Sequence, residues 1–138
     1  MSKRVAYLNP KEACPPQGLY SHATRVTAGP LYFIAGQLAV DKHGNVAGRH
    51  DFARQFHQVF DNLEAVLKGI EADFKDVVKF TTYLVHSQDI EKFMELRAAY
   101  FPKIFGEQPY PPNTLLIIDR LVKEDFLLEI EAVVACGS

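Results

Sequence analysis

Two amphipathic helical stripes set among strand-like segments restrict this chain more than any other feature. Phe52, Phe56, Val59, Leu63, Val66, Leu67 and Ile70 recur at spacings of three and four, which puts them on one face of a helix over 51–70. Asp51 is placed to cap its start, and Gly69 lies near its end. A second helix is expected over 88–105, with Ile90, Phe93, Leu96, Tyr100 and Ile104 as its stripe. Ser87 or Asp89 can cap it, and Pro102 is expected to kink or end it. The segments 24–28, 31–40, 77–85, 113–119 and 126–135 are rich in β-formers. Gly29-Pro30 reads as the turn of a hairpin, and "DKHGN" (41–45) as a second turn. Val5 to Leu8 can add a short edge strand to an otherwise irregular beginning.

The order β-β-α-β-α-β-β predicts an α+β fold, one mixed sheet with both helices on one face. Val77 to Val85 is apolar on both faces and reads as a central strand. Several other strands are apolar on both sides too. The face away from the helices therefore needs a cover, and an oligomer is expected to supply it.

At 138 residues the chain suits one domain, 1–138, and its 48% of hydrophobic residues can fill a core. The net charge of −2 gives no electrostatic footprint for nucleic acid. No apolar stretch reaches the roughly 18–20 residues of a membrane span, and no signal-peptide run is present, so neither nucleic acid nor membrane is an expected partner. The two cysteines, Cys14 and Cys136, sit near opposite ends, and a reduced, cytoplasmic chain is expected. The five histidines form no ligand pattern: His50 and His57 lie two helical turns apart, too far to share a metal.

Four motifs carry a resemblance: "GLYSHA" (18–23), "LYFIAGQLAVD" (31–41), "DVVKFTTYLV" (76–85) and "EIEAVVA" (129–135). In order and spacing they resemble the RidA/YjgF/UK114 family over nearly the whole chain. The resemblance implies a chorismate-mutase-like fold and a homotrimer whose sheets pack into a central barrel, with ligand clefts between subunits. It also implies hydrolysis of reactive enamines and imines to 2-keto acids and ammonia, with no metal and no cofactor.

The resemblance assigns roles residue by residue. Glu129 matches the family glutamate that positions the hydrolytic water, and Tyr20 matches the tyrosine of Gly-Pro-Tyr-Ser; both are taken as catalytic. Ala35-Gly36-Gln37 stands where the family has Ser-Gly-Gln, which costs a hydroxyl and keeps a backbone N–H at Gly36. The family's Pro-x-Arg-Ser/Thr reads Pro111-Pro112-Asn113-Thr114, so Asn113 holds the position of the arginine that binds the substrate carboxylate. Asparagine is short and neutral and cannot form a bidentate ion pair. Ala35, Gly36, Asn113, Thr114 and Tyr110 are the expected substrate-binding residues, although core packing is the preferred reading of Tyr110. Arg25, Arg97 and Arg120 are candidates for a substitute cation. Three functions follow: a deaminase of altered or weak activity on small carboxylates, a ligand-binding or regulatory trimer that uses the same cleft without deamination, and a related hydrolase for another metabolite.

Overall fold

A computed structural model describes residues 4–137; residues 1–3 and 138 of the expected domain lie outside the described residues. The elements are β1 (Val5–Leu8), β2 (Ala23–Val26), β3 (Leu31–Gln37), α1 (Phe52–Gly69), a 3-10 turn (Phe74–Asp76), β4 (Val77–Leu84), α2 (Asp89–Phe105), β5 (Asn113–Ile117) and β6 (Leu128–Ala135). The main sheet has the order β3-β6-β4-β5, with β4 and β5 parallel and the other pairs antiparallel. β4, expected from its sequence to be a central strand, and β6 take its two interior places.

Alternation sorts the side chains. Ile34, Phe80, Leu84, Leu128, Ile130, Ala132 and Val134 are buried on one face. Both helices cover that face: Phe80 meets Phe60 of α1 and Phe101 and Phe105 of α2 at centroid distances of 6.0, 6.1 and 6.2 Å. Asp51 caps α1 as expected, accepting from Arg54 N–H at 3.0 Å. The opposite face is open, with Phe33 77% exposed and Leu31 and Leu116 also exposed.

Three local expectations change. Gly29-Pro30 does not join a paired hairpin: β2 pairs with β1, whereas β3 pairs with β6. Tyr7 and Thr24 hydroxyls donate to the Val77 and Val78 carbonyls (2.7 and 2.6 Å), which ties the β1-β2 ribbon to the start of β4 instead of to β3. The residue before α2 is Gln88, with no side-chain cap, and Pro102 does not end the helix; α2 runs on to Phe105 and stops at Gly106, whose φ of 77° breaks it. Its fully buried line is Phe93, Arg97, Phe101 and Phe105, with Leu96, Tyr100 and Ile104 only half-buried beside it. A charged residue therefore occupies one place on an aromatic face.

Candidate functional site

The loop before β2 builds one half of the site. Asn9 pins it twice, donating to Ser21 Oγ (3.3 Å) and accepting from His22 N–H (3.0 Å). The Tyr20 hydroxyl accepts from Gln17 N–H at 3.0 Å, so its own proton stays free to donate. Tyr20, His22, Lys79, Asn113 and Thr114 help to line a cleft of about 400 Å³. No carboxylate is among its walls, and a lysine, Lys79, is.

Asn113 opens β5 and pairs with Phe80, so its side chain lies on the helix side of the sheet. There the buried Thr82 hydroxyl donates to Asn113 Oδ1 at 2.7 Å. That bond orients the amide and leaves its NH₂ without an acceptor among the described residues. Thr114 points to the other face and is exposed.

Glu129 builds a second half elsewhere. It pairs with Tyr83 on the open face, beside Glu131 two residues on. Glu131 is held by the Tyr83 hydroxyl at 2.6 Å, whereas Glu129 has no hydrogen-bond partner among the described residues. Burial first, and the Glu131 charge second, push the Glu129 carboxyl above the ordinary carboxylate range. Gly36 makes its space: a Cβ there would fall 2.6 Å from Glu129 Cδ and 2.7 Å from Cγ and would overlap the carboxylate oxygen. Ala35 is exposed on the same edge strand. Tyr83, Ile118, Arg120, Leu121, Val122, Glu129 and Glu131 enclose about 360 Å³.

The two halves do not meet within one chain. Asn113 stands in the row of Phe80 and Ala132, and Glu129 in the row of Tyr83, two strands away and three residues along. At strand spacings of about 4.8 Å and rises of about 3.3 Å the backbones are about 14 Å apart, with side chains on opposite faces. Tyr110 joins neither half. It is 4% exposed, packs against Phe101 and Phe105, and donates its hydroxyl to Gly106 O at 3.1 Å. Its large ring goes to the aromatic core because α2 presents those phenylalanines to it.

The family model described as endoribonuclease L-PSP matches residues 10–136. The chain belongs to this family, known also as RidA/YjgF. Among curated proteins, this Rid-family chain is 37% identical to a RutC family protein of Pyrococcus horikoshii, over 89% of this chain and 91% of the relative. Among solved structures, the Rid-family protein YyfB of Yersinia pestis superposes with a TM-score of 0.86 at 30% identity, covering 97% of this chain and all of that one. The YjgF gene product of E. coli does so with a TM-score of 0.68 at 26% identity, covering 94% and 98%. The α+β architecture with two helices on one sheet face is the fold these structures share.

The three candidate cations now have positions. Arg25 is exposed on β2. Arg120 stands in the Glu129 cavity, but it donates to Leu121 O, Val122 O and Glu124. Arg97 is 3% exposed and meets no oxygen acceptor among the described residues. Sequence reasoning missed Thr82, which orients Asn113, and Tyr83, which holds Glu131. The signal for Thr82 was there: a polar residue at an inward place between Phe80 and Leu84.

Proposed function

We propose that this Rid-family chain is a hydrolytic deaminase of small imine or enamine carboxylates, with weak or altered activity, working in a cleft between subunits of a homotrimer. The observation that carries this reading is Glu129, a carboxylate without a partner among the described residues, seated against Gly36 on an open sheet face. A carboxylate whose pKa is raised suits proton transfer at neutral pH better than an ordinary one. It would hold a water, accept a proton as the water oxygen adds to the imine carbon, and return that proton to the nitrogen. Collapse of the resulting carbinolamine breaks the C–N bond, releasing ammonia and leaving a 2-keto acid. The opposite half, Asn113, Thr114 and Tyr20, would bind the rest of the substrate. A three-carbon acid is too short to touch both halves of one chain. The open face and the expected barrel packing would let one subunit's Glu129 meet its neighbour's Asn113.

The test is ammonia and pyruvate release from freshly generated 2-aminoacrylate. Turnover above background that is lost in Glu129→Gln is the expected result. Equal rates for the two proteins, or none from either when both are folded, would exclude the deaminase. The second outcome would favour a binding or regulatory role for the same cleft, a reading that Asn113 itself supports because it supplies no charge for a carboxylate.

A further inference from the structure

Arg97 is a buried cation without a counter-ion among the described residues. Its guanidinium carbon lies 5.1 Å from the Phe93 ring centroid, one terminal nitrogen is 3.1 Å from Met94 Sδ, and Nε is fully buried with no partner. A thioether is a weak acceptor, and an aromatic face does not replace the lost water. Burial pushes the Arg97 pKa down to about 10, so the group stays charged at neutral pH.

The loop of the first half-site is shaped around this charge. A Cβ at Gly18 would fall 2.7 Å from the Arg97 terminal nitrogen, so the loop packs directly against the guanidinium, and a larger residue there would have to push that tip aside. Two residues on, Tyr20 lines the cleft it shares with Asn113 and Lys79. The nearby donors are unspent: the Asn113 NH₂, because its oxygen is taken by Thr82, and the Tyr20 hydroxyl proton. A cleft walled by donors and a lysine, with no carboxylate, whose loop packs at Gly18 against a guanidinium that has no acidic partner among the described residues, suits an anion.

We propose that Arg97 supplies the positive charge of this site, in place of the cation that Asn113 lacks, and that the site takes the carboxylate of a small 2-keto or 2-imino acid. The inference rests on the proposed function for the place of the cleft and for the keto or imino class of the acid; the preference for an anion rests on the geometry above. Arg97 acts here as a charge behind the Gly18–Tyr20 loop, a positioning and specificity residue and not a catalytic one.

Calorimetric binding of pyruvate and of its neutral analogue pyruvamide tests it. Arg97→Met is expected to weaken pyruvate about 10- to 100-fold, the size of a unit charge removed within several ångströms at moderate dielectric, and to leave pyruvamide unchanged. Arg97→Lys, which keeps the charge, is expected to retain most of the pyruvate affinity. Ligand-free Arg97→Met is expected to melt no lower than wild type, since an unpaired buried cation gives way to an apolar chain of similar length. Several results would overturn the proposal: no pyruvate binding to wild type, equal losses for both probes, or inorganic phosphate competing as well as pyruvate. A drop in melting temperature with dissociation of the oligomer would do so too, because it would place a neighbouring subunit's carboxylate on Arg97. None of these readouts needs turnover. Arg97-dependent pyruvate binding without deamination would leave this inference standing and remove the deaminase.

Discussion

Gly36→Ala isolates the seat of Glu129. The added Cβ would overlap the Glu129 carboxylate, but its three nearest neighbours are all atoms of that one flexible side chain. Gly36 does not have a positive φ, so alanine can adopt its backbone conformation. Overpacking of this kind costs about 1–3 kcal/mol, and the gain from replacing glycine returns about 0.4–1 kcal/mol. A net loss near 1–2 kcal/mol is expected, or about 3–7 °C in Tm for a chain of this size. In a Glu129→Ala background the obstruction is gone, and the same change is expected to be neutral or to stabilise by up to about 1 kcal/mol. The coupling, about 1–3 kcal/mol, is read from thermal or urea melts of the four proteins. It requires no knowledge of the substrate. If Gly36→Ala costs the same in both backgrounds, Gly36 is not there for Glu129, and the carboxylate seat is wrong.

Two further outcomes follow from the same geometry. Burial and Glu131 hold the Glu129 carboxyl above its ordinary range, so the folded chain binds that proton more tightly than the unfolded one. Its contribution to stability is therefore full below the unfolded-state pKa and is lost as pH rises through the folded value. Glu129→Gln should melt above wild type at neutral pH, with the gap closing in acid; a gap that does not change with pH would contradict the raised pKa. Asn113→Arg is expected to strengthen pyruvate binding more in an Arg97→Met background than in wild type, where a cation already serves the site. Equal gains in both backgrounds would separate position 113 from Arg97.

Much of the fold was legible because its signals are local and periodic. The α1 stripe, the Asp51 cap and the apolar β4 and β6 segments each state their own environment. The Gly29-Pro30 hairpin was misread because a turn signal says that the chain bends, not which strand it then pairs with. That choice is made by Tyr7 and Thr24 reaching the β4 carbonyls some seventy and fifty-four residues away. The site was legible only through motifs. Glu129 and Gly36 sit in separate strands, and nothing in their spacing shows that one makes room for the other. Arg97 was visible as a charge in line with Phe93 and Phe101, four residues from each. Its isolation was not, since a missing partner is a property of the folded surroundings. Tyr110 could have been wall or core, with core the preferred reading, and it packs against the phenylalanines of α2.

The central claim is that the Asn113 half and the Glu129 half join only between subunits. The most direct measurement mixes two variants, Asn113→Asp and Glu129→Gln, each expected to be inactive alone, and allows their subunits to exchange. Random mixing of equal amounts would pair an intact half with its intact complement at about one interface in four, restoring roughly a quarter of the wild-type deamination rate. Verified mixed oligomers that stay inactive would place both halves within a single chain and contradict the account.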